Sequence, residues 1–300
     1  MHYKIKKTAG DRVFDFINLT FLSLILIIVL YPLIYIVSCS VSDSLMVISG
    51  RVWLFPIQPT LLAYKAVLEN PMIVTGYANS LFYTCAGTLI NLIVTFMAAY
   101  PLSRKNAICG KRFIMFFFTF TMLFSGGMVP GYLLVQKLGM INTRWALLIP
   151  GAMSVWNLII TKTFLQSNIP DELYEVAALD GSGDLRTFFR IVLPLSGTII
   201  AVNALYYAVG HWNSYFGALL YIRKAALYPL QIVLRNILIQ NQMDASMLSV
   251  VDVRDVARRE ALSTLLKYAL IVVASLPVMC IYPFVQKYFV KGVLIGSIKG

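Results

Sequence analysis

The spacing in this chain most suggestive of chemistry is Glu175-Val176-Ala177-Ala178-Leu179-Asp180-Gly181, followed after nine residues by Ile191-Val192-Leu193-Pro194. Its residue types suit docking rather than catalysis. Ala177 and Ala178 let another surface approach closely, while Glu175 and Asp180 offer carboxylates to donors on that surface. The elements that position them are legible. Asn168 is expected to cap a helix whose first turn contains Pro170. Asp171, Glu172 and Glu175 place negative charge near its positive end. Leu173, Val176 and Ala177 fall on one apolar stripe at i, i+3, i+4 spacing. Gly181 is expected to take the left-handed conformation that stops the helix, and a second short helix follows through Phe188 and Phe189. Residues 168–193 thus read as a helical hairpin between two membrane-length apolar runs, with an ordinary acidic surface loop as the alternative.

Other chemistry is missing. Gly110-Lys111 is followed by Arg112, and Lys105 stands where the first glycine of a phosphate-binding loop belongs, so no such loop exists. With only His2 and His211 in the chain, a His-Glu-x-x-His metal site is impossible, and no metal or cofactor is expected. His211 with Ser214 has no nearby carboxylate in sequence to orient the imidazole, which argues against a hydrolase. Cys39, Cys85, Cys109 and Cys280 lack metal-ligand spacing and read as small hydrophobes.

The 300 residues are 59% hydrophobic and 13% charged, with a mean hydropathy of +0.77. A soluble chain carries nearer a quarter charged residues. The formal charge of +12 does not point to nucleic acid, because the cations flank apolar runs instead of forming one basic face. Six windows are long enough to span a bilayer: Phe16–Ser38, Tyr77–Leu102, Phe113–Val135, Trp145–Leu165, Leu195–Gly217 and Leu265–Phe289. The first exceeds a signal peptide's apolar core and lacks its cleavage site, so it reads as a retained span. Pro150, Gly151 and Asn157 interrupt the fourth. Kinks are expected near Pro32, Pro101, Pro150 and Pro277. Asn18-Leu19-Thr20 matches a glycosylation acceptor but lies inside the first span.

Lys4, Lys6, Lys7 and Arg12, then Arg104, Lys105, Lys111 and Arg112, then Lys291 and Lys299 fall on one side, which is read as cytoplasmic. Both termini and the hairpin are then inside. Lys137 and Arg144 lie outside, as do the segments Val41–Gly76 and Ala218–Thr264, the latter carrying Arg254, Arg258 and Arg259. The first outer segment is expected to hold a short helix around Leu61–Leu68. Span centres lack ionisable residues, which argues against a proton- or ion-coupled transporter.

The hairpin resembles the EAA loop of binding-protein-dependent ABC importer permeases: Glu175, Ala177, Gly181, Ile191, Leu193 and Pro194 match, and Val176 replaces the usual alanine. Further segments resemble the carbohydrate-uptake branch. These are Asn79-Ser80-Leu81, Ala99-Tyr100-Pro101-Leu102-Ser103-Arg104, Met128-Val129-Pro130, Lys137-Leu138-Gly139 and Asn142-Thr143-Arg144-Trp145. The runs His211 to Phe216 and Tyr228 to Gln231, with the tail Tyr282-Pro283-Phe284 to Gly300, resemble the second permease of alginate- and aldouronate-type oligosaccharide systems.

The resemblance implies an all-α polytopic membrane protein with six transmembrane helices in the type I importer (MetI-like) fold, one permease domain over residues 1–300. It implies a non-enzymatic subunit in a prokaryotic plasma membrane. Its implied partners are a second permease, two ATPase subunits, an extracellular solute-binding protein, a sugar or oligosaccharide and the lipid bilayer, with no nucleic acid. Glu175, Ala177, Ala178, Asp180 and Gly181 are the expected ATPase-coupling residues. Trp212, Asn213 and Tyr215 are candidates for the sugar path, since an indole stacks on a sugar ring and an amide both donates and accepts. Trp212 packing between helices is the equal alternative. Asn91, Asn157 and Asn203 suit either the cavity or helix–helix bonding. A channel or uniporter without an ATPase, and a non-transporting scaffold, are the rival classes.

Overall fold

A computed structural model describes residues 8–105, 108–247, 264–281 and 283. The expectations resting on Lys4, Lys6, Lys7, Arg254, Arg258, Arg259, Lys291 and Lys299 lie outside those residues. Among the described residues every regular element is helical. In chain order they are α1 (Ala9–Ser40), α2 (Ser44–Ile48), α3 (Leu62–Glu69), α4 (Pro71–Ser103), α5 (Lys111–Leu123), α6 (Met128–Lys137), α7 (Trp145–Leu148), α8 (Val155–Asn168), α9 (Asp171–Leu179), α10 (Asp184–Thr187), a π-helical turn (Phe188–Val192), α11 (Leu193–Leu195), α12 (Gly197–Asn213), α13 (Phe216–Tyr221), a 3-10 turn (Ala225–Leu227), α14 (Leu230–Met247) and α15 (Thr264–Ile281).

Three of these, α1, α4 and α15, are long and apolar enough to cross a membrane unaided. Two expected spans are bent. The window from Phe113 breaks between α5 and α6 with a turn of 113°, and the helices leading into α12 bend by 81°. The causes are local: Ser125, Gly126 and Gly127 separate α5 from α6, with Gly127 at φ +87°, and Pro194 and Gly197 bracket the second bend. The fourth window divides into α7 and α8 around Pro150 and Gly151, where the sequence pattern is interrupted.

The chain divides into two compact units. One comprises residues 1–70 and 237–275, the other 71–236 and 276–300. In the first, α1 opens on a reciprocal cap: the Asp11 N–H donates to Thr8 Oγ1 at 3.3 Å, and the Thr8 N–H to Asp11 Oδ2 at 2.8 Å. Its far end is buried at Ser38, Cys39 and Ser40. There Ser38 Oγ donates to the Leu54 carbonyl at 2.6 Å, Ser40 and Tyr64 hydroxyls meet at 2.7 Å, and Thr60 N–H donates to Val41 O at 2.8 Å. The segment after α1 is therefore ordered by hydrogen bonds, with α3 one residue from its predicted place. Most of α1 is exposed apolar surface, which suits a helix whose solvent is lipid.

In the second unit α4 packs on α8 and α12. Its inward face carries polar residues, some of which bond across the seam, and α12 bonds to α8 in the same way. The Thr95 and Tyr207 hydroxyls meet at 2.7 Å, Asn203 Nδ2 donates to Thr161 Oγ1 at 2.6 Å, and His211 Nε2 lies 2.7 Å from Asn91 Oδ1. Asn91 Nδ2 also donates to the Gly151 carbonyl. Asn91 and Asn203 are thus occupied as helix–helix ties, one of the two roles expected for them. Gly87 makes the close approach possible: a Cβ there would sit 2.4 Å from His211 Nε2.

Candidate functional site

The hairpin begins where α8 ends. Asn168 does not cap it: its Nδ2 donates to the Phe164 carbonyl at 3.0 Å, satisfying the end of α8 instead. The N-cap position of α9 falls on Pro170, in extended conformation, with Asp171 and Glu172 in the first turn. Asn168 is three residues before the first helical residue, too early for its side chain to reach the N–H groups of that turn.

Gly181 terminates α9 as expected, at φ +72°. The Gly181 N–H donates to Ala178 O at 3.0 Å and the Ser182 N–H to Ala177 O at 2.8 Å, satisfying carbonyls the helix end would orphan. The second helix passes through Phe188 and Phe189 as expected, but not as regular α-helix. α10 passes into the π turn, whose wider bond runs from the Leu193 N–H to Phe188 O. Pro194 offers no N–H to continue a regular ladder, and π turns of this kind concentrate at functional sites.

The hairpin has two faces. Tyr174, Ala177, Thr187 and Phe188 are buried, with Tyr100 of α4 between the rings of Tyr174 (centroids 6.2 Å apart) and Phe188 (5.1 Å). Burying each large ring contributes about 2 kcal/mol. Leu173, Val176, Leu179, Leu185 and Phe189 are exposed, Leu179 at 87%. The expected single stripe of Leu173, Val176 and Ala177 is therefore split. Ala177 faces the protein's own core, because Tyr174 three residues earlier supplies the bulk that core needs. Glu175, Ala178, Asp180 and Gly181 are exposed beside the outward apolar residues.

The last turn of α4 fixes this arrangement electrostatically. Arg104 pairs with Asp184, and its guanidinium lies 5.0 Å from the Tyr174 ring and 5.7 Å from that of Tyr100. Lys105 Nζ meets Asp171 Oδ2 at 2.6 Å, and Lys111 Nζ donates to the Arg104 carbonyl at 2.9 Å. Arg104 and Lys105 thus hold the first turns of α10 and α9 respectively. Burial works against the Arg104 charge, but the Asp184 hydrogen bond and the Tyr100 contact outweigh it and hold the guanidinium above its ordinary pKa. The Asp171 hydrogen bond raises that of Lys105. Burial pushes the Tyr174 phenol up to about 12, so it stays neutral. Sequence reasoning read Arg104 and Lys105 only as topology markers. The signal available was charge: between Pro71 and Asn236 every carboxylate (Asp171, Glu172, Glu175, Asp180, Asp184) lies in this hairpin.

The residues expected along a sugar path are scattered in environment. Trp212 is buried, 4% exposed, edge-on to Tyr77 at 5.5 Å, and borders a cavity of about 20 Å³ with Thr84, Ala208 and Pro277. That volume holds about one water molecule. Asn213 and Tyr215 are exposed. Asn213 ends α12, and Ser214 turns the chain into extended backbone, so the adjacent side chains separate.

No protein-family model matches the chain. It is 41% identical to Protein LplC of Bacillus subtilis over 298 residues, covering 99% of each chain. It is 40% identical to the polygalacturonan/rhamnogalacturonan transport system permease protein YtcP of the same organism, covering 97% of this chain and 99% of that one. A crystal structure of a bacterial ABC transporter involved in import of the acidic polysaccharide alginate matches with a TM-score of 0.84 and 33% identity, covering 95% of this chain and all of that one.

The chain belongs to the sugar ABC transporter permeases. Its all-helical fold is that of an ABC importer permease. It is a non-enzymatic transport subunit of the bacterial inner membrane, and such a permease works with a partner permease, an ATPase and a solute-binding protein.

Proposed function

We propose that this subunit forms half of the translocation path of an oligosaccharide importer, with the hairpin as its coupling element. The observation that carries this reading is the hairpin's division of labour. One face is sealed onto α4 through Tyr100, Tyr174 and Phe188. The other exposes Val176, Leu179, Leu185 and Phe189 beside Glu175, Ala178, Asp180 and Gly181. A rigid base with an apolar, acid-flanked tip suits docking into a groove of the ATPase, where Glu175 meets a donor and Gly181 keeps the tip thin. Ala177 serves the inner packing.

The complex would hold one copy of this chain, one partner permease and two ATPases, alternating between inward- and outward-facing states. Driving such an equilibrium from mostly one state to mostly the other takes about 5.5 kcal/mol of differential binding. Arg104 would carry that energy into α4. The chain acts as a single permease domain over residues 1–300, with residues 168–193 and both termini cytoplasmic and the segments 41–76 and 218–264 outside. The named cargoes of two of the more similar relatives, polygalacturonan/rhamnogalacturonan and alginate, favour an acidic oligosaccharide over the neutral sugars named for less similar ones. Asn213 and Tyr215, exposed at the end of α12, are better placed to touch it than the buried Trp212.

The test is co-purification from solubilised membranes, wild type beside Gly181→Asp. Aspartate tolerates the left-handed conformation better than most residues, so the variant folds but carries bulk and charge at the tip. An ATPase and a second permease should accompany the wild type at two ATPases per permease pair, and the ATPase alone should be lost from the variant. A wild type that purifies only with itself would defeat the reading. Labelling of the exposed Cys109 from the cytoplasmic side only would support the orientation, and labelling from outside would reverse it.

A further inference from the structure

At the end of α4 remote from the hairpin, a second set of cations has no acidic partner among the described residues. Asn79 and Arg104 are 25 residues apart on a continuous helix and its last turn. That is about 37 Å at 1.5 Å per residue, more than the ~30 Å hydrocarbon core. With the hairpin inside, Asn79 is outside.

There the chain from Tyr221 to Leu230 is pinned. Asn79 Nδ2 donates to the carbonyls of Ala226 (2.8 Å) and Tyr228 (3.1 Å), Tyr83 OH to that of Leu227 (2.9 Å), and the Leu230 N–H to Ser80 Oγ (2.8 Å). Asn142, at φ +64°, accepts on Oδ1 from the consecutive N–H groups of Arg223 (2.6 Å) and Lys224 (3.0 Å). Arg144 lies 4.5 Å over the Phe82 ring, with Nη2 3.5 Å from Asn79 Oδ1. Arg144, Arg223 and Lys224 are exposed, and none has a carboxylate partner among the described residues. Beside them the rings of Tyr132 and Tyr221 stack, 6.1 Å apart and 12° from parallel.

We infer that Arg144, Arg223 and Lys224 form an outer selectivity rim that captures the carboxylates of an acidic oligosaccharide as it enters the path. This rests on the importer reading and names the residues that choose its cargo. Outer loops of membrane proteins are normally poor in Lys and Arg, so three ordered cations there call for an anion. A guanidinium pairs with a carboxylate through two parallel hydrogen bonds, and lysine adds a point charge. Pinning the backbone of Arg223 and Lys224 removes ordering entropy that capture would otherwise cost. A lipid headgroup requires no such order, whereas flat aromatic rings beside fixed cations match a uronic acid, which has an apolar ring face and a carboxylate edge.

The test uses the whole complex with its binding protein in vesicles of zwitterionic lipid, comparing wild type with Arg223→Gln/Lys224→Gln. The probes are trigalacturonate and its methyl ester. The backbone bonds to Asn142 survive these substitutions, so the loop keeps its fold. The variant should raise the KM for the acid about tenfold, as expected for lost charge-assisted hydrogen bonds. It should leave the maximal rate and methyl-ester uptake unchanged and flatten the salt dependence seen in wild type. Equal loss for both sugars, with weaker capture of the sugar-free binding protein, would overturn the inference in favour of protein docking. A defect seen only after anionic lipid is added would assign the cations to headgroups, and unchanged uptake would leave the rim no role. Wild-type uptake of neither sugar would instead overturn the acidic-oligosaccharide reading itself.

Discussion

At the hairpin end of α4, Arg104 and Lys105 each meet a carboxylate, Asp184 and Asp171. At the other end Arg144 meets the Asn79 amide and the Phe82 face and the backbone N–H groups of Arg223 and Lys224 meet the Asn142 amide, with no carboxylate partner among the described residues. Paired charges lock one piece of protein to another and leave little attraction for anything else. Cations whose surroundings are neutral keep their field available to a passing anion. On the readings proposed above, one end of the helix serves transmission and the other recognition, although both are written in the same residue types.

The largest effect should come from the seam between them. Gly87→Val puts side-chain atoms into the His211 ring, whose hydrogen bond to Asn91 limits its retreat. Overpacking of this kind costs about 1–3 kcal/mol, and thermal unfolding in detergent should show a lower Tm with both ends failing together. If only one end failed, the two would not share a rigid α4.

Next, Arg104→Ala leaves Asp184 without its partner and removes the guanidinium from between Tyr100 and Tyr174. The Asp184 carboxylate is largely exposed, so the pair itself is worth about 1 kcal/mol, and the guanidinium's place against the two rings about 1 kcal/mol more. The expected signature is ATP hydrolysis continuing while sugar import falls, measured as ATP consumed per sugar moved. Restored coupling in Arg104→Asp/Asp184→Arg would sharpen the comparison; parallel loss of hydrolysis and import would break it.

Asn142→Ala tests the outer end alone. It removes the acceptor for two N–H groups and places alanine at φ +64°, a cost of about 1–2 kcal/mol confined to the loop. Hydrogen exchange at Arg223 and Lys224 should accelerate while the hairpin amides keep their protection. The smallest effect belongs to Lys105→Ala, because its pair with Asp171 is solvent-exposed and screened. Import should stay within assay error at ordinary salt, and a large loss would mean that Lys105 touches the ATPase directly.

The hairpin shows how far the sequence alone could be followed. Glu175, Gly181 and Pro194 announced themselves because helix stops and proline have local causes, and Gly181 took its left-handed φ as expected. Asn168 was misread as a cap because the choice between closing α8 and opening α9 depends on where the helix begins, which moves with packing by a residue or two. The apolar stripe at Leu173, Val176 and Ala177 was periodic, yet periodicity cannot say which side is covered. Tyr174, between the stripe positions, proved the better anchor because Tyr100 and Phe188 offered it a slot. The third and fifth apolar windows were legible as spans but not as bends.

The sequence by itself determined membrane character, the positions of the apolar runs, the helix stop at Gly181 and the permease resemblance. These follow from composition, local conformational preference and spacing, which act over a few residues. Only the tertiary structure decided that Ala177 turns inward, that Arg104 and Lys105 brace the hairpin, and that Asn142 fixes the backbone of Arg223 and Lys224. Arg104 and Asp184 are 80 residues apart in the chain, and Asn142 and Arg223 are 81. No local preference reaches that far; such partners meet only because α4, α8 and α12 pack together.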